Sequence, residues 1–191
     1  MSISFRILAI IITLTIFFSS KSLKAQPRTG EFINASIGLG ISAPYEDVDI
    51  SSTGFYAQGE YVLGITKWFG LRPYAGIILT SGNVTENESL KEYKVNTKAF
   101  SFGGKVRLVA PIPYVAPYIE SGIGASIGTF QTYTPTTNIK KSGVLLHIPF
   151  SLGLAVGRKH NVDIAFTYLF IPAAEQFTGA AAVGLTFPIK N

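Results

Sequence analysis

Residues 144–156 read VLLHIPFSLGLAV. Val144, Leu146, Ile148, Phe150, Leu152, Leu154 and Val156 fall two apart, set against His147, Ser151, Gly153 and Gly157. A helix places its apolar side chains three and four apart, whereas a strand sends successive side chains to opposite faces. The stretch is therefore a long β-strand with one unbroken apolar face.

The same alternation recurs along the chain. Ile33, Ala35, Ile37, Leu39 and Ile41 share one face, opposite Asn34, Ser36, Gly38, Gly40 and Ser42. Phe55, Ala57, Tyr61, Leu63 and Ile65 oppose Tyr56, Gln58, Glu60, Gly64 and Thr66. Phe100, Phe102, Val106 and Leu108 oppose Ser101, Gly103, Lys105 and Arg107. Val162, Ile164, Phe166, Tyr168 and Phe170 oppose Asp163, Ala165 and Thr167. Weaker alternation over 71–82, 117–130 and 178–189 completes eight strands.

The connections alternate in length. Those at 67–70, 110–116 and 158–161 are tight or Pro-rich; those at 43–52, 83–95, 131–142 and 172–177 are mostly longer, polar and flexible. Strands of about ten residues, with short turns at one end and long loops at the other, are the layout of a transmembrane β-barrel. Closing the sheet satisfies every strand's backbone hydrogen bonds, as lipid requires. The expected fold is all-β: an eight-stranded, antiparallel, up-and-down transmembrane barrel.

Composition agrees. Only 14% of the 191 residues are charged, against about 25% in soluble domains. AVILMFWYC residues make up 47%, and there is no cysteine, which excludes a disulfide scaffold and a cysteine zinc site. The 19 glycines and 10 prolines argue against a helix bundle.

Charge also follows the faces. On the apolar face only Lys98 is charged within the strand bodies; the other carries Glu60, Arg72, Lys105, Arg107, Glu120 and Asp163. This set is three acids against three bases, all near short turns, and buried charges must pair. An eight-stranded lumen is just wide enough for side chains to fill. The six are expected to form a charge cluster that plugs it, while Ile37, Leu63, Phe102, Ile148, Phe150, Leu152 and Phe166 face lipid. A soluble barrel would turn its apolar face inward and carry many more charges outside. Phe55, Phe100, Phe102 and Phe170 near the long loops, and Trp68, Phe69 and Phe187 near the short turns, match interfacial aromatic girdles.

Residues 1–25 have the form of a cleavable signal peptide: Arg6, an apolar run from 7 to 18, then Ala25-Gln26. The barrel domain is then 26–191. Losing Arg6, Lys21 and Lys24 leaves 13 basic and 11 acidic residues, so the formal charge falls from +5 to +2. That removes the main support for nucleic-acid binding.

With signal peptide, eight alternating strands, four long loops and three short turns, the chain resembles the small outer-membrane β-barrels of Gram-negative bacteria, the OmpX and OmpA-membrane-domain family. The Lys24-Ala25-Gln26 junction resembles those of exported Bacteroidota proteins. The resemblance implies Sec export, termini in the periplasm, long loops outside the cell and insertion by the barrel-assembly machinery. It also implies contact with outer-membrane lipid and lipopolysaccharide, and a monomer. One departure stands out: the family often ends on an aromatic residue, whereas here Phe187 is followed by four further residues.

Chemistry-bearing residues are few. His147 and Ser151 lie about 13 Å apart along one strand, too far for a nucleophile–base hydrogen bond. A serine from another strand is needed for a lipid-hydrolysing site, and a lumen residue held by a hydrogen bond is the leading reading of His147. His160 falls in the 158–161 turn and reads as solvated or facing headgroups. Glu46, Asp47 and Asp49 read as a solvated acidic loop rather than a calcium site. No catalytic, cofactor or metal residue is assigned. The expected function is structural or interactive, at the cell surface, ahead of a small-solute pore and a lipid-modifying enzyme.

Overall fold

Alternation of apolar and polar side chains becomes, in three dimensions, a single sheet that closes on itself. The computed structural model describes residues 29–84 and 92–189, so the expected signal peptide lies outside the described residues. Eight strands follow in chain order: β1 (Gly30–Pro44), β2 (Ser51–Gly64), β3 (Phe69–Val84), β4 (Lys94–Val109), β5 (Val115–Tyr133), β6 (Asn138–Val156), β7 (Val162–Ile171) and β8 (Gln176–Pro188). Each pairs antiparallel with its neighbours, and β1 closes the ring on β8 from Phe32↔Pro188 to Pro44↔Gln176. The architecture is an eight-stranded up-and-down β-barrel, as the alternation predicts. Closure gives every strand a partner on both sides, although residues 138–147 of β6 run beyond the end of β7.

The pleat sends the apolar face outward. Leu146 is 76% exposed and Ile123 73%, and Ile37, Phe102, Ile148, Phe150, Leu152 and Phe166 are all exposed large hydrophobics. Leu63 shares their face but is half-buried. Exposed apolar patches on soluble monomers rarely exceed a few hundred Å², whereas here the apolar surface runs around the whole wall. The polar strand face is the buried one, together with a smaller set of inward apolar side chains.

One connection differs from its expectation. The polar segment 131–142 is not a flexible loop: β5 runs to Tyr133 and β6 starts at Asn138, paired Tyr133↔Asn138 through Gly128↔Gly143. Only 134–137 turn. The extension has few apolar residues because both its faces are polar above the apolar band, so period-2 hydrophobicity could not reveal it. Gly143 sits at φ 111°, a conformation that side-chain-bearing residues rarely adopt, where the polar extension meets the apolar strand body.

Between β7 and β8 the chain makes a single 3-10 turn, Pro172–Ala174. Ala174 is buried, and its carbonyl accepts a hydrogen bond from Thr132 Oγ1 at 2.8 Å. This connection therefore folds over the long-loop end of the lumen.

Candidate functional site: a filled and layered lumen

Glu60 on β2, Arg72 on β3, Lys105 and Arg107 on β4, Glu120 on β5 and Asp163 on β7 all point inward by parity and are all buried. The closed register brings the six together. Glu120 is the hub: Lys105 Nζ lies 2.8 Å from its Oε2, Arg107 Nε 2.6 Å and Arg72 Nε 3.6 Å from its Oε1. Glu60 pairs with Lys105 and Arg72. Asp163 pairs with Arg107 Nη1 at 2.9 Å and lies 3.8 Å from Arg72 Nη1.

Neutral groups complete the network. Asn34 Nδ2 donates to Asp163 at 2.9 Å, Gln58 Nε2 to Glu60 at 2.7 Å, and Tyr56 Oη to Gln58 at 2.9 Å. The Tyr118 ring lies 3.4 Å from the Arg107 guanidinium carbon, and Lys105 Nζ lies 5.3 Å from the Tyr74 ring centre. Such cation–π contacts stabilise desolvated cations. Three negative and three positive charges thus meet in a low-dielectric space where each has opposite partners and hydrogen bonds, the condition for burying charge.

A second polar layer surrounds His147. Ser126 Oγ lies 2.9 Å from its Nδ1, Tyr74 Oη lies against its Nε2, and Ser101 Oγ lies 2.8 Å from Ser126 Oγ. Ser151 does not join it, as its spacing from His147 predicts, and bonds Thr167 at 3.0 Å. Ser126 is the serine from another strand that a hydrolytic reading needs. The alternation places it inward but says nothing of its cross-strand reach, because two strands, β4 and β5, separate Tyr74 from His147. Ser126 and His147 are both buried, inside the barrel and away from its outer apolar wall.

Glycine makes room for this layer. A Cβ at Gly124 would sit 2.3 Å from Tyr74 Oη and 2.5 Å from His147 Nε2, so only glycine admits both rings beside β5. Gly122-Ile123-Gly124 runs mid-strand.

Toward the long loops the filling becomes apolar, with Tyr56, Ile78, Phe130, Leu169 and Ile171 packed together. Above them lies a hydroxyl layer. Ser42 Oγ lies 2.9 Å from both Thr80 Oγ1 and Thr97 Oγ1, and Gln176 Nε2 donates to Thr97 and Thr178. At the rim, Glu46 accepts hydroxyl bonds from Thr134 at 2.8 Å and from Thr137, tying the first long loop to the β5–β6 turn.

His160 departs from its expectation. It is buried rather than solvated, and it bonds the Ile112 carbonyl of the adjacent turn at 3.0 Å. The ring fills the space between two short turns, where a solvated side chain would leave a gap. Among the described residues no group of three or more His, Asp or Glu side chains is placed to hold a metal ion.

The class defined by this geometry is a closed eight-stranded barrel with an apolar exterior and a polar, filled interior. No family model and no curated protein sequence matches the chain. Solved structures do match its fold. Neisserial surface protein A is similar over 84% of this chain and 98% of its own length, with 12% identity and a TM-score of 0.59. The outer membrane protein OprG from Pseudomonas aeruginosa is similar over 87% of this chain and all of its own, with 11% identity and a TM-score of 0.51. At such identities the likeness is one of fold.

Proposed function

We propose that this chain is an integral bacterial outer-membrane protein with a plugged lumen, acting through its loops at the cell surface. The observation that carries this reading is the inversion of the barrel: exposed Leu, Ile and Phe outside, and a neutral, fully paired six-charge network inside. The two fold relatives, one named as a surface protein and one as an outer membrane protein, support it. In this reading Ile37, Leu63, Phe102, Ile148, Phe150, Leu152 and Phe166 meet lipid, and Trp68 and Phe187 sit at the short-turn interface. Short turns face the periplasm; long loops meet lipopolysaccharide or other surface partners. Residues 1–25 direct Sec export of a Bacteroidota-type barrel, the assembly machinery inserts it, and the product is monomeric and non-enzymatic. The Ser126–His147 pair serves packing, because it is sealed within the lumen.

Single-channel recording in a planar bilayer tests the plug. The expected result is no persistent open current; a stable open level would overturn the plugged reading in favour of a small-solute pore. Cell fractionation, with boiled and unboiled gel samples, tests location. A soluble product without a heat-dependent mobility shift would overturn the membrane assignment.

A further inference from the structure

At the short-turn mouth the side chains of the described residues leave space in the lumen. A cavity of about 260 Å³ lies there, on the turn side of the ionic network. Phe32, Val62 and Val109 are among its apolar walls. Its polar lining is Thr66, Arg72, Arg107, Lys159, His160, Asn161 and Thr186, and among the described residues no Asp or Glu lines it. Within the network, where Glu60, Glu120 and Asp163 stand beside the cations, the remaining void is only about 20 Å³. The network as a whole is neutral, but it turns only its cationic members toward the cavity.

His160 supplies an independent observation. A carbonyl can only accept, so the bond to Ile112 makes Nε2 the donor. Nδ1 is buried and has no hydrogen-bond partner among the described residues. Buried polar atoms are nearly always satisfied, so the edge of this cavity keeps unused polar capacity.

We infer that the cavity is a binding site for a small amphipathic anion, a carboxylate on a compact apolar body. Guanidinium groups suit carboxylates in charge and shape. Apolar walls with a few convergent polar groups are the usual make-up of a small-molecule site. The volume accommodates a ligand of the size of benzoate. The lining residues come from both chain-terminal strands and all three short turns, or the strand ends beside them, so an occupant bridges elements far apart in sequence.

Benzoate is the probe, titrated into the refolded chain in detergent micelles and followed by backbone-amide NMR at Gly64, Gly70, Asn161 and Thr186. The expected result is saturable shifts at these amides, with none from benzyl alcohol, which matches the apolar body but lacks the charge. Inorganic phosphate, which lacks the apolar body, should bind more weakly than benzoate. Asn161→Asp is nearly isosteric and adds a negative charge to the lining; it should weaken benzoate by about tenfold. Lys159→Gln should weaken it less. The heat-dependent mobility shift of each variant confirms that the barrel has folded. Non-saturable benzoate shifts, equal shifts with benzyl alcohol, phosphate binding as tight as benzoate, or unchanged affinity in folded Asn161→Asp would each overturn the site. None of these readouts depends on conductance or on where the barrel resides.

Discussion

The two ends of the lumen are built from the same alternating strands but filled by opposite chemistry. Toward the short turns, carboxylates that only accept face guanidinium and ammonium groups that only donate. Toward the long loops, Ser42, Thr80, Thr97 and Thr178 both donate and accept. A hydroxyl layer can rearrange around a lost member, because each remaining group can reverse its role. A charge network cannot, because every sign is fixed. The difference teaches where the barrel is specified tightly and where it tolerates change.

The sharpest way to break that comparison is to remove the hub. Glu120→Gln keeps the shape but leaves Lys105, Arg107 and Arg72 sharing two carboxylates, Glu60 and Asp163. Breaking a buried ion pair on one side typically costs about 3–5 kcal/mol. Urea unfolding of the refolded protein should show a loss of this order. A loss no larger than that of a hydroxyl deletion would mean the two ends are energetically alike.

A cation can also be placed on the wrong side of the same wall. Ile148 is exposed on the outer face of β6. Ile148→Arg should cost about 2–4 kcal/mol near a bilayer midplane, whereas Arg107 is held inside by two carboxylates and a ring. Asn138→Lys, at the exposed start of β6 in the extended hairpin, should be close to neutral. Equal tolerance of both changes, measured by unfolding from lipid vesicles, would overturn the assigned facing.

At the long-loop end, Thr97→Val removes one hydroxyl from a layer of several. Thr97 Oγ1 meets Ser42, Thr178 and Gln176. A loss of about 1–2 kcal/mol is expected, the cost of a hydrogen bond whose partners find others. A loss matching Glu120→Gln would show that the hydroxyl layer is as rigid as the ionic one.

Much of this contrast is legible in the order of the residues. Parity alone puts Glu60, Lys105 and Asp163 inside and Ile148 outside, since one residue of slip would expose every charge. Balance of sign then points to pairing. What parity leaves open is height. Tyr74, His147, Ser126 and Ser101 meet only because antiparallel register and barrel stagger bring four different sequence positions to one level. The same holds for the cavity at the short-turn mouth, whose lining converges from the three short turns and the strand ends beside them. The β5–β6 hairpin is illegible for a different reason. Above the apolar band both faces of a strand are wet, so hydrophobicity loses its period, and Gln131, Thr132 and Asn138 resemble loop residues although they are paired.

That hairpin also provides the smallest expected effect, at the outermost rim of the hydroxyl-rich end. Hydroxyl bonds from Thr136, Thr137 and Thr134 hold the Glu46 carboxyl below its ordinary pKa. A group whose pKa is lowered by folding stabilises the folded form above its unfolded pKa and loses that contribution as pH falls through the lowered value. The tie between the first long loop and the β5–β6 turn should therefore be intact at neutral pH and release in acid. Amide exchange at Thr137, whose N–H bonds Thr134 Oγ1 at 2.9 Å, should quicken there while amides of the β1–β8 seam stay protected. Glu46→Gln should bring the fast-exchanging state to neutral pH without measurable loss in global unfolding, because the carboxylate sits at the exposed rim where water screens it. Slow exchange of Thr137 in that variant would mean that the turn is held by Thr134 alone, and that the rim, unlike the ionic mouth, makes no use of charge.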